Sequence, residues 1–97
     1  MGKVIWSPSA YTDIDLIAEY IARDSVDRAA LFVTRLMKQI DDVLVSYPRS
    51  GRKIPEMDDE LWRELIYGSY RVMYHVEEND DVYITGVVHG ARDWNPE

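Results

Sequence analysis

Four basic side chains stand out in the second half of the chain: Arg63, Arg71, His89 and Arg92. Arginine carries a permanent charge and a planar donor fork that matches phosphate, and imidazole exchanges a proton near neutral pH. Brought together at neighbouring strand ends, they would form a phosphoryl-transfer surface. The alternative is that these cations pair with Glu64, Glu77 or Asp93 and fix the sheet. Other chemistry has less to build on. The only imidazoles, His75 and His89, fall in no metal-ligand motif, so no metal is implied. The scattered glycines form neither a phosphate-cradling loop nor a dinucleotide fingerprint, so no cofactor is implied. No serine sits in a nucleophile elbow. The runs Asp41-Asp42, Asp58-Asp59-Glu60 and Glu77 to Asp81 read as solvated surface, and Trp6, Trp62, Tyr70, Tyr74 and Tyr83 as core aromatics before stacking platforms.

The elements that must position these groups follow from periodicity. Lys3 to Trp6 is a short strand, closed by Ser7-Pro8, a helix cap followed by a first-turn proline. Ala10, Ile14, Ile17, Ala18 and Ile21 then recur at helical spacing, which predicts a helix from about Pro8 to Arg23. Ser25 caps a second helix, with Ala29, Phe32, Leu36, Ile40, Val43 and Tyr47 in period, ending at or before Pro48. Two or three intervening residues make the helices an antiparallel hairpin.

Residues 47–59 break the pattern with Pro48, Gly51 and Pro55 and read as a positively charged surface loop. Three β-rich segments follow, Leu61 to Tyr67, Tyr70 to Glu77 and Val82 to His89, joined by Gly68-Ser69 and by residues 78–81. Short connections force a meander whose one face the helices cover. The fold class is therefore α+β: an N-terminal antiparallel helical hairpin on a mainly antiparallel four-stranded sheet, in the order β-α-α-β-β-β, with 1–97 as one domain. Register decides whether the cations meet. A strict two-residue turn at Gly68-Ser69 sets Arg63 opposite Tyr74 and Arg71 opposite Ile66, on different faces, whereas a longer or bulged turn puts both arginines on one face.

Charge and size set the outer limits. Of 97 residues, 11 are Lys or Arg and 18 are Asp or Glu, a net charge of −7 that repels a phosphate backbone. Apolar residues make up 46%, enough for a folded core and too many for a disordered chain. No cysteine is present and no apolar run approaches a membrane span, so the expected location is the cytoplasm, with no membrane partner.

Taken in order, Trp6-Ser7-Pro8, the helical hairpin, Pro48-x-x-Gly51-Arg52-x-x-Pro55-Glu56, Arg63-Glu64-Leu65, Tyr70-Arg71-Val72-x-Tyr74 and Val88-His89-Gly90-Ala91-Arg92 resemble the RelE/ParE superfamily of toxins. The resemblance spans nearly the whole chain. It implies a toxin of a type II toxin–antitoxin module, held inactive by a cognate antitoxin whose C-terminal segment wraps around it, with a homodimer or a hetero-oligomer with the antitoxin as the assembly. RelE-like members are ribosome-dependent mRNA endoribonucleases. On that pattern Arg71 matches the invariant arginine, Arg63 a catalytic lysine position and Arg92 the arginine after the last strand, with His89 a candidate general acid or base. A second lysine of the pattern falls at Leu65, and only Trp94 stands near the C-terminal tyrosine. ParE-like members inhibit DNA gyrase and need no nuclease site. The incomplete cation set and the acidic balance favour the ParE-like branch.

Overall fold

The computed structural model describes residues 2–90. Its elements are β1 (Val4–Trp6), α1 (Pro8–Ala22), α2 (Val26–Ser46), β2 (Arg52–Lys53), β3 (Trp62–Tyr67), β4 (Tyr70–Val76) and β5 (Val82–His89). Local chemistry marks both helix starts. The Ser7 hydroxyl accepts from the Ala10 amide at 3.0 Å ahead of Pro8, and the Ser25 hydroxyl accepts from Arg28 at 3.1 Å. Each bond satisfies an amide that the first helical turn leaves unpaired. The second helix stops at Ser46, ahead of Pro48.

Among the described residues the sheet has five strands in the order β1-β5-β4-β3-β2, one more than the four predicted. The addition is β2, which pairs antiparallel with β3 through Arg52↔Glu64 and Lys53↔Arg63. Two adjacent cations show no strand periodicity, so this edge strand exists only because β3 supplies its partner. The expected surface loop is thus partly structural: Gly51 is buried and Ile54 has no exposed surface. At the opposite edge β1 runs parallel to β5, while all other pairings are antiparallel.

The hairpin between β3 and β4 has the strict two-residue turn, with Tyr67 opposite Tyr70 and Gly68 at φ 57°. Arg63 therefore faces Tyr74, and Arg71 faces Ile66. A second irregularity lies in β5. Met73 pairs with Gly86 but Tyr74 pairs with Ile84, so Thr85 is an extra residue, and its hydroxyl donates to the Met73 carbonyl at 3.3 Å. This bulge moves Val87 and His89 onto the same face as Val82 and Ile84.

Helices cover that face. Ala10 and Ile14 of α1 and Leu36, Ile40 and Leu44 of α2 form one core with Val72, Tyr74, Val76, Val82, Ile84 and Val87. Trp6 joins the core through its ring, and its indole N–H donates to Asp41 of α2 at 2.8 Å. Asp13 of α1 accepts from the Val87 amide at 2.9 Å, which fixes the helix along β5. Trp6 and Tyr74 thus serve packing, while Tyr83 remains 40% exposed. Among the described residues, no helix is long and apolar enough to cross a membrane.

Two glycines carry specific demands. A Cβ on Gly51 would lie 2.5 Å from both the Glu64 carbonyl oxygen and the Tyr74 hydroxyl, whereas one on Gly68 would meet nothing within 4 Å and strain only the backbone. Gly51→Ala is expected to cost about 1–3 kcal/mol through overpacking. Gly68→Ala is expected to cost about 1 kcal/mol through its left-handed φ. Urea denaturation of the two variants checks the order.

Candidate functional site

The face of the sheet turned away from the helices carries a chain of four ionised side chains. Arg71, the second residue of β4, the middle strand of the sheet, is 5% exposed. Its Nε donates to Glu64 Oε1 at 2.7 Å, and its two terminal nitrogens donate to the two oxygens of Glu56 at 2.9 and 2.7 Å. Glu64, on β3, has a fully buried side chain and accepts a second charged bond from Arg52 Nε on β2. Strand register explains half of this: Arg52 lies directly across from Glu64. The other half comes from the segment between β2 and β3, which carries Glu56 onto the sheet. Glu56 raises the affinity of Arg71 for its proton, burial opposes this, and Glu64 adds to it, so the guanidinium stays charged well above its ordinary range.

Arg63 lies on the other face. Its Nη1 donates to the Gly51 carbonyl at 2.9 Å, and its Nε is buried with no hydrogen-bond partner among the described residues. No described carboxylate pairs with it, and Lys53 stands opposite it on β2. Beside it, burial pushes the Tyr74 hydroxyl to a higher pKa, partly offset by the Gly51 amide that it accepts and by the Arg63 charge.

His89 shares the helix-covered face. Its ring meets Tyr70 edge-on at 5.8 Å, and it borders a groove of about 570 Å³ with Asp13, Leu16, Tyr20 and Ser69. Arg92 and Trp94 lie outside the described residues. The expected convergence of cations is therefore not formed by the three that are described. Arg71 is on one face, while Arg63 and His89 are on the other and at opposite ends of the sheet. Two local features cause the separation: the two-residue turn inverts Arg63 relative to Arg71, and the Thr85 bulge inverts His89.

Pairing of Arg71 with Glu64 follows the alternative reading of the sequence. Glu56 was the missed partner, because nothing in a Pro-Glu-Met stretch signals a return to a strand 15 residues later. The groove beside α1 was missed too. Its signal was present, since Asp13, Leu16, Ile17 and Tyr20 repeat at helical spacing beside the core stripe, and Leu16 and Tyr20 are 59% and 66% exposed.

Chemically, Arg71 is engaged by carboxylates on all three nitrogens. This arrangement pins the crossing segment to the sheet; it does not present an empty anion site. Leaving either buried charge alone is the expensive state. Glu64→Leu is expected to destabilise the fold by about 3–5 kcal/mol, as is Arg71→Met, and combining the two is expected to recover most of that loss. A double-mutant cycle by chemical denaturation measures it.

The turn between β4 and β5 has a different electrostatic character. Its Asp81 accepts the Lys3 backbone N–H at 2.7 Å and a bond from Asn79 at 3.0 Å, and these hold its carboxyl below the ordinary value of 3.8. A depressed native pKa contributes stability that is present above the ordinary value and lost as pH falls through the native one. The stability difference between wild type and Asp81→Asn is expected to shrink as pH is lowered from 7 past 3.8. Urea titrations across that range test it.

Comparison with known proteins places this architecture. Residues 4–94 match the family model described as the ParE toxin of the type II toxin–antitoxin system parDE. The chain is 33% identical over 94 residues to a protein named Putative toxin Y4kP from Sinorhizobium fredii, covering 95% of this chain and 92% of the relative. It is 32% identical over 92 residues to one named Toxin RelE2 from Caulobacter vibrioides, covering 95% and 99%. Among solved structures, it superposes on a chain of the chromosomal ParDE system from P. aeruginosa with TM-score 0.74 at 18% identity, covering 92% of this chain and 96% of the other. A chain of the toxin–antitoxin complex RelBE2 from Mycobacterium tuberculosis superposes with TM-score 0.56 at 19% identity, covering 91% and 96%.

Proposed function

The chain belongs to the ParE toxin family of type II toxin–antitoxin systems, and from that premise we propose that it acts as a protein-binding inhibitor of DNA gyrase, neutralised by a cognate antitoxin. One observation carries the choice over ribosome-dependent mRNA cleavage. Arg71, the cation a nuclease would need most, is 5% exposed and held by Glu56 and Glu64, while Arg63 and His89 lie across the sheet. A nuclease depends on donors aimed together at a pentavalent phosphate, and each absent donor costs roughly 3 kcal/mol of transition-state stabilisation. Inhibition through surface contact asks for none of this. The charge of −7 agrees, because it is compatible with a protein target and unfavourable beside ribosomal RNA.

The antitoxin has a suitable seat on the helix side. Leu16 and Tyr20 are exposed along the groove beside α1, and an amphipathic partner that buries them adds to the stability of a small core by mass action. The P. aeruginosa and M. tuberculosis neighbours belong to toxin–antitoxin systems, which supports the same kind of partner here.

Purified protein is expected to inhibit gyrase supercoiling at micromolar concentration and to leave messenger RNA intact on programmed ribosomes. His89→Gln and Arg63→Gln are expected to inhibit as well as the wild type. Ribosome-dependent cleavage that disappears in either variant would install the nuclease function instead.

A further inference from the structure

The face opposite the helices is not uniformly covered. At its middle it is closed: Met73 has no exposed surface, and Glu64 and Arg71 are nearly as buried, while Ile66, near the far end of β3, stands 55% exposed. Towards β1 it is open. Ile5, Tyr83 and His75 lie in one cross-strand row, Ile5 paired with Tyr83 and Tyr83 with His75. Ile5 is 43% exposed, Tyr83 40%, and the His75 side chain 26%. An apolar row that ends on an edge strand invites association, and soluble proteins ordinarily blunt such edges.

Among the described residues this edge is also open in its main chain. The Val82 amide donates to the Lys3 carbonyl and the Ser7 amide to the Ile84 carbonyl, so the odd-numbered residues of the segment face β5. By strand alternation the amide and carbonyl groups of Val4 and Trp6 point away from the sheet. Main-chain donors and acceptors that have no partner among the described residues, beside an apolar row, fit another polypeptide and not a nucleic acid.

Charge selects the kind of polypeptide. The turn that joins β4 to β5 contains Glu77, Glu78, Asp80 and Asp81, next to the row along both strands. Arg49 bridges Asp80 at 2.7 Å and Lys3 lies at the edge, so acidic charge remains in excess. Glu77 is bonded to His75, whereas Glu78 has no partner among the described residues. Such a rim attracts lysine and arginine and repels acidic chains.

We propose that the β1 edge and the Ile5–Tyr83–His75 row are the docking surface for an extended, basic segment of the target protein. That segment adds a strand to β1, covers Ile5 and Tyr83 with an apolar side chain and sets cations against Glu77 and Glu78. The proposal rests on the protein-binding function above and names the surface that performs it. It also separates target and antitoxin in space, the first on the open sheet face and the second beside α1.

The test uses the full chain. Ile5→Lys, Tyr83→Lys and Glu78→Lys alter exposed side chains, and Glu19→Lys, on exposed α1 surface, is the charge-matched control. Growth arrest on induction, gyrase supercoiling inhibition, melting temperature and affinity for the antitoxin encoded alongside are measured for each. The expected result is at least a tenfold loss of potency in arrest and in gyrase inhibition for the three surface variants, with melting and antitoxin affinity unchanged and the control fully active. Unaltered potency in the surface variants overturns the proposal while leaving gyrase inhibition in place. A parallel loss of antitoxin affinity also overturns it, by giving the edge to the antitoxin. So does a concentration-dependent dimer of the wild type, in light scattering, that Ile5→Lys abolishes. A wild type that neither arrests growth nor inhibits gyrase removes the protein-binding function and this surface with it.

Discussion

The burial of Glu64 constrains everything on the far side of the sheet. A carboxylate without solvent contact is tolerable only when its lone pairs are matched by fixed donors, and here Arg52 and Arg71 supply them. Arg71 is buried by the same geometry and requires its own counter-charge, which Glu56 provides through both oxygens. The alternation of sign from Arg52 through Glu64 and Arg71 to Glu56 leaves the set formally neutral. That neutrality lets the segment between β2 and β3 lie on the sheet, where an apolar cover of equal area would give no register. It also gives the two-residue β2 a reason to exist, since Arg52 must stand opposite Glu64.

The same constraint shapes function. A guanidinium held on all three nitrogens has its charge neutralised at short range and offers little to an incoming phosphate. A match to the ParE toxin family beside a relative named Toxin RelE2 does not decide between chemistries, because the fold is shared and activity resides in the site. What differs within such a scaffold is which cations are free and which face they share. In this chain the described cations of the expected site divide between two faces, and the exposed surface is instead apolar and acidic.

Two regions of unlike character result. Beside α1, Leu16 and Tyr20 border a groove on the helix side, where the only imidazole is that of His89. At the β1 edge, a narrow row of Ile5, Tyr83 and His75 meets a carboxylate-rich turn. A small core leaves apolar side chains that it cannot enclose, and a protein of 97 residues has few ways to hide them except with a partner. The separation of the two regions by the thickness of the sheet allows one partner to be bound without shared contacts to the other.

Much of the architecture was legible in the residues alone. Ser7-Pro8 and Ser25 marked helix starts through hydrogen bonds that close within three residues, and the apolar periods of both helices and three of the strands are local properties that survive in the fold. The consequence of a two-residue turn for Arg63 and Arg71 was legible as well, because strand alternation is geometry. What tertiary structure alone decided was which partners meet across long separations. β2 has no pattern of its own and appears only against β3. The Thr85 bulge, which turns His89 to the helix side, depends on pairing with Met73 and Tyr74, and neither residue's type announces it. Glu56 reaches Arg71 because the segment after β2 crosses the sheet. Propensity and capping act over a few bonds and are written in order along the chain, whereas the matching of buried charges is settled only when distant segments are packed and water has been excluded.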